Sequence, residues 1–388
     1  MNRRLLVIAF VESFAAVMVQ RGVYFFSRTV LGFSDGANLS LALVFGISYV
    51  VGALLSHRTC IAVGERRVLL VLLVAQAAVH TGMALRPAWA TVFAGLAAIG
   101  ALNGMKWPVI ESYVSAGQAA APAARSVGRF NISWAVAVPL ALAATGPVLH
   151  AWPAALFLIP GAVNLGTFAL ARALPQRPEY LPADHPHRLQ PVQLGQFRSL
   201  MISARWLLLL NYAAMWILAA LLPGIMGRLG FRVSFAAGLS SLVDVARLLA
   251  FVWLNYWTGW HGRAAPLVLA IAALPAGFFL VLLGQTAAAV FIGQALFGLA
   301  AGMIYYAALY YALVVKNASV DAGGGHEGLI GLGFAIGPAA GLAAMAIQLM
   351  LPDHTLAALA GIGPLFIVCL AASARYAASA ASPKPTIM

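Results

Sequence analysis

Ten acidic residues are spread over 388 positions, and several interrupt segments that are otherwise apolar. Glu12 lies in "RRLLVIAFVESFAAVMVQRGVYFF", and Lys106 and Glu111 flank Pro108 in "ALNGMKWPVIESYVSAG". Asp244 and Arg247 stand three apart in "SLVDVARLLAFVWL", and His326 and Glu327 follow a glycine run. Groups of these kinds can bind a charged part of a solute, take up a proton, or pair with one another. An ionisable group at membrane depth is expensive, so it normally faces a cavity or a partner.

Other chemistries lack their residues. There is no G-x-x-x-x-G-K-[ST] to cradle a nucleotide, and "HEGLIG" has no second His at metalloprotease spacing. Cys60 and Cys369 are far apart in sequence, form no zinc or redox spacing, and read as unpaired thiols. Asp184, His185 and His187 fall in a Pro-rich loop, where two His at i, i+2 read as solvated rather than as metal ligands. The expectation is a protein with no metal, no cofactor and no enzymatic activity.

Composition states what must position the charged groups. The chain is 63% hydrophobic and 9% charged, with a mean hydropathy of +0.92. A soluble domain carries about a quarter charged residues, so most of this surface must meet lipid. The net charge of +13 follows from membrane topology, because no basic segment is interleaved with aromatics as nucleic-acid binding would require.

A spanning helix needs about 20 mostly apolar residues. Twelve segments meet that measure, at roughly 5–27, 38–56, 67–86, 88–115, 127–149, 152–172, 204–226, 233–258, 264–285, 287–315, 324–350 and 355–377. The first reads as a span rather than a cleaved leader, because Glu12 interrupts its apolar core. Alternating the spans places sixteen basic residues on the side of the termini and four on the other. Positive charge stays inside. The expectation is therefore an integral protein of a bacterial cytoplasmic membrane, with both termini cytoplasmic. A polar, Pro-rich loop at 173–203 divides the chain into 1–172 and 204–388, with six spans in each.

Six spans, a basic loop and six spans resemble the major facilitator superfamily. "GALLSHRTCIAVGERRVLL" is similar to that family's loop between helices two and three, with Gly52, Leu54, Gly64, Arg66 and Arg67 at its glycine, leucine and basic positions. The family's Asp is absent there, and the glycines lie further apart. "GRFNISWAVAVPLALAATGP" resembles the fifth helix, with Arg129 at one end and Gly146-Pro147 at the other, but lacks the glycines of the antiporter motif. "GGGHEGLIGLGFAIGPAAG" resembles the equivalent segment of the second half. The resemblance implies an all-α membrane protein of two pseudo-symmetric six-helix bundles around a central cavity, lined by helices 1, 4, 7 and 10.

Polar residues do concentrate on those four spans, while spans 3, 6, 9 and 12 are nearly free of them in their middles. The cavity residues expected are Arg21, Tyr24, Asn103, Lys106, Trp107, Asn211, Trp216, Tyr305 and Tyr306. Glu12 and Lys106 lie at matched depth, on the order of 10 Å from the same face by helix rise. They form either a proton-linked substrate site or a structural pair. Asp244 and Arg247 share a helix face and pair, with Asp244 the second candidate for proton coupling. Arg21 has no acidic partner that the sequence identifies, which hints at an anionic substrate group. Glu111, Arg129, Arg247, His326 and Glu327 read as gate contacts or structural ion pairs.

The functional expectation is a monomeric secondary transporter that moves a small organic solute by alternating access, coupled to protons, with lipid and solute as its partners and no nucleic acid. The rival reading is a membrane sensor or scaffold of transporter-like fold that moves nothing.

Overall fold

A computed structural model describes residues 3–114, 116–118, 120–179, 191–316 and 320–381. Among these residues every regular element is helical. The first span is α1 (Arg3–Gln20) and α2 (Gly22–Val30), broken at Arg21. There follow α3 (Asp35–Val63), α4 (Glu65–Leu85), α5 (Trp89–Ser112), α6 (Ala120–Ala151) and α7 (Ala155–Ala171). The second half begins with α8 (Pro191–Arg228), continues with a span made of α9 (Val233–Leu239) and α10 (Leu242–Tyr256), and completes with α11 (Ala265–Leu283), α12 (Ala287–Lys316), α13 (Val320–Gln348) and α14 (His354–Ala381). Eleven of these segments are long and apolar enough to cross a membrane. The 17 residues of α7 reach about 25 Å at 1.5 Å each, which makes twelve spans.

Helix ends follow local chemistry. Ser34 caps α3 by accepting from the Ala37 amide at 3.2 Å, with Asp35 in the first turn. Gly64, at φ +91°, is the one residue between α3 and α4, and its backbone lies in a region that favours glycine. Asp353 accepts from the amides of Thr355 and Leu356 at the start of α14. Arg66, at a basic position of the loop between α3 and α4, donates to the Leu174 carbonyl at 2.9 Å beyond the end of α7.

Residues 191–203, expected as loop, are the opening turns of α8. Pro191 suits a first helical position, and Phe197 sits edge-on to Tyr311 at 5.2 Å. Polar side chains such as Gln196 and Arg198 hid this extension from an apolar-run measure, since these turns project beyond the hydrocarbon. Asp184, His185 and His187 lie outside the described residues.

The two ends of the described chain share one face. An even number of spans returns the chain to the face it started from; there Gln196 near the start of α8 donates to the carbonyls of Gly262 and Ala380, while Ser133, midway along α6, donates to the Leu6 carbonyl. We call this the terminal face and its opposite the distal face. Burial grades as membrane packing requires: 94% of the apolar window of α8 is buried, against 22% for α14 and 39% for α11. Large apolar side chains such as Leu54, Val71 and Ile367 are exposed, as on a lipid-facing surface.

The halves meet through α3 on α13 and through α6 on α9 and α10. Close approach toward the distal face depends on glycine. A Cβ on Gly46 would lie 2.3 Å from the Phe334 carbonyl carbon, and one on Gly146 would lie 2.2 Å from the Ser234 carbonyl oxygen. Arg28 and Asp35 pair at 2.5 Å at that face.

Candidate functional site

At the helix break, Arg21 reaches across to the second half. Asp244, fully buried on α10, accepts from the Arg21 Nη1 and, at 2.6 Å, from the Arg247 Nη2. Arg21, for which the sequence offered no acid, therefore shares one carboxylate with the Asp244–Arg247 pair. The Arg247 guanidinium lies over the Trp134 ring at 4.8 Å, and its Nε has no hydrogen-bond partner among the described residues. Both arginines line a cavity enclosing about 670 Å³ free of protein atoms, open approach included. Asp244 stands behind them and does not line it.

The rest of the wall is largely aromatic and comes from both halves. Trp107 of α5 and Phe130 and Trp134 of α6 face Tyr212 and Trp216 of α8, Tyr305 of α12 and Phe334 of α13. Trp216 stacks on Phe334 with centroids 3.6 Å apart, and Trp134 meets Tyr305 edge-on at 5.0 Å. Such rings give rigid apolar faces with few torsions to immobilise. Trp134, Tyr49, Met215 and Phe334 are cavity residues that the sequence reading missed. A single Trp or Tyr in a span resembles ordinary packing until the facing helix is known.

Toward the terminal face, Glu327 lines the cavity and lies against Glu111. Ligand atoms of Glu111, His326 and Glu327 fall within 4.8 Å of one another, the one such group among the described residues. Tyr49 donates to Glu327, and the Tyr305 hydroxyl donates to Glu111 at 3.5 Å. Among the described residues the second Glu111 oxygen and both His326 ring nitrogens have no hydrogen-bond partner, and Arg205 of α8 sets a positive charge near His326. These residue types can ligate a metal, although a neighbouring guanidinium opposes a cation. Arg129, read like Glu111 as a gate contact or ion-pair residue, is exposed, and among the described residues no ion pair joins it to Glu111.

Lys106 and Glu12 do meet, with Nζ 2.7 Å from Oε2. The pair is closed inside the first half. Lys106 also donates to Gln76 at 2.9 Å, Asn164 donates to Glu12 at 3.0 Å, and Gln76 donates to Asn103 at 2.7 Å. None of these side chains lines the cavity; Trp107, 5.5 Å from the ammonium, is the member of this region that does. Gln76 on α4 and Asn164 on α7 are exceptions in spans 3 and 6, which were expected to be nearly free of such groups in their middles. Both are buried and face the bundle interior.

The remaining expected residues are buried but outside the wall. Among the described residues Tyr24 and Asn211 each keep a polar atom without a hydrogen-bond partner, and Tyr306 donates to Asn255 at 3.4 Å near Gly128. Of the nine cavity residues expected, the structure brings Arg21, Trp107, Trp216 and Tyr305 to the wall.

Neither a protein-family model nor a curated protein matches the chain. Solved structures do. The human organic anion transporter MFSD10 (TETRAN) is 15% identical, with a TM-score of 0.64 over 96% of this chain and 99% of that one. A mutant of the nucleoside transporter NupG is 12% identical, with a TM-score of 0.67 over 97% and 98%. A bacterial homologue of the human lysosomal transporter Spinster, inward-facing and unoccupied, is 15% identical, with a TM-score of 0.63 over 97% and 91%. Matched along nearly its whole length, the chain shares the fold of these solved transporters.

Proposed function

We propose that the protein is a secondary transporter of the cytoplasmic membrane that moves a small organic solute by alternating access, with protons as the coupling ion. One observation carries this reading: the cavity is walled by both halves, so any movement of one half against the other changes which face it opens to. The fold is shared with transporters of organic anions and of nucleosides. Glycine-mediated contact makes the halves separable toward the distal face, and the side-chain contacts of Tyr49, Glu111, Tyr305 and Glu327 do so toward the terminal face. In this reading the helices from α1 to α7 and those from α8 to α14 act as the two moving units.

Glu111 and Glu327 are the coupling site this reading favours. Two carboxyl groups held together without a bonded cation are most stable with one proton between them. They come from opposite halves, and one lines the cavity. Loss of that proton sets two like charges across the contact and favours its opening. Glu12 and Asp244, the other candidates, are each bonded to cations. The test is uptake of a panel of solutes into liposomes holding the purified protein, with and without an imposed pH gradient. Gradient-dependent accumulation of a solute is the expected result, and binding without flux would favour the sensor reading.

A further inference from the structure

The wall of the cavity is chemically uneven. Toward the distal side it presents two guanidiniums, Arg21 and Arg247, that share the single carboxylate of Asp244. All three are buried. Among the described residues the cluster therefore carries one uncompensated positive charge in a poorly solvated site, a condition that normally requires a partner. Asp244 supplies one oxygen to each arginine, while the Arg247 Nε is left without an acceptor among the described residues. Donor capacity remains, because a guanidinium carries five N–H groups and neither arginine can lose its proton. Glu327, the acid that lines the wall, is held by the Tyr49 hydroxyl at the opposite end. Beside the arginines lie broad flat surfaces: Trp216 stacked on Phe334, and Trp107 on the first half.

Building on the transporter reading, we propose that the solute is an organic monoanion, a carboxylate on a planar aromatic body. The anionic group sits on Arg21 and Arg247 beside Asp244, and the ring lies among Trp107, Trp216 and Tyr305. One negative charge neutralises the cluster, whereas a dianion would overfill it and a cation would double its excess. Arg247 is already fixed against Trp134, so Arg21 is the group free to turn toward an arriving anion. It stands at a helix break, where its own backbone amide still bonds to the Val17 carbonyl at 3.0 Å.

Three probes of one shape test this on the purified full chain in detergent: naphthoate, naphthamide and naphthylmethylammonium, compared by equilibrium dialysis. Naphthoate is expected to bind about tenfold or more tightly than the neutral amide, from charge-assisted hydrogen bonds, and the ammonium least. Arg21→Gln should erase the preference for naphthoate over naphthamide. Asp244→Asn removes the competing carboxylate and should tighten naphthoate binding. Equal binding of naphthoate and naphthamide by the wild-type protein, tighter binding of the ammonium, or unchanged naphthoate affinity in Asp244→Asn would each overturn the proposal. Because dialysis reads binding without flux, naphthoate bound but never transported would contradict the transporter reading and leave the anion site standing.

Discussion

Arg21 and Asp244, 223 residues apart in sequence, form a buried ion pair that joins the first half of the molecule to the second. The other ion pair between the halves among the described residues, Arg228 with Asp35 at 4.0 Å, is far more exposed. A buried pair adds little net stability compared with an apolar contact, yet removing one partner leaves an uncompensated charge. It therefore fixes how the halves meet and makes that contact responsive to any other anion in the cavity.

Removing Asp244 should cost more than removing Arg21. Asp244→Ala strands two guanidiniums, while Arg21→Gln leaves the Asp244–Arg247 pair intact. Truncating one partner of a buried pair costs about 3–5 kcal/mol. Thermal unfolding in detergent should show Asp244→Ala with the lower midpoint of the two. Equal midpoints would mean the arginines are neutralised by something other than Asp244.

The network around Glu12 calls for a double-mutant cycle. Lys106→Ala leaves a carboxylate with only Asn164 as donor and should destabilise by about 3–5 kcal/mol. Adding Glu12→Gln removes the stranded charge, so the double variant should unfold at higher temperature than Lys106→Ala alone. Additive losses would show that the two groups do not interact.

Glu327→Gln separates coupling from transport. A permanently neutral amide cannot release a proton, so accumulation driven by a pH gradient should fall to the level seen without one. Exchange of labelled for unlabelled solute should continue. Glu12→Gln, altered away from the cavity wall, should keep its gradient response. The reverse pattern would move the coupling site to Glu12.

How far the sequence reached depends on the range of each interaction. Spans were legible because an apolar run of fixed length is a local property, and α14 or α11 needs no partner to be recognised. Glu12 and Lys106 were legible as a pair because helix rise converts position into depth, and two groups at one depth in one half have few other partners. Arg21 with Asp244 was not, since that contact depends on how two halves dock. Gln76 and Asn164 were passed over because one amide in an apolar span is a weak signal; its value appears only once Glu12 and Lys106 require donors and acceptors. The opening of α8 was hidden because its polar turns lie beyond the apolar stretch that marks the span.

Gly146 offers a conformational test. A larger side chain there would collide with the Ser234 backbone, where a Cβ alone would approach to 2.2 Å. Gly146→Leu should hold the distal face apart and bias the cavity toward it. A cysteine introduced by Gln20→Cys should then react with an impermeant maleimide from the distal side roughly tenfold faster or more, since a population shift of about 1.4 kcal/mol is a factor of ten. Unchanged reactivity would show that this contact does not hold the distal face closed.

Alternating access requires that one cavity be reached from both faces in turn. A single cysteine at Val17, a wall position, tests it in a background with Cys60 and Cys369 replaced by serine. Impermeant maleimide is applied from one side or the other of liposomes in which the protein is inserted in a single orientation. The expected result is labelling from both sides, slowed on both by a bound solute. Labelling from one side alone, under every condition that leaves the protein folded, would contradict alternating access and leave a one-sided receptor in its place.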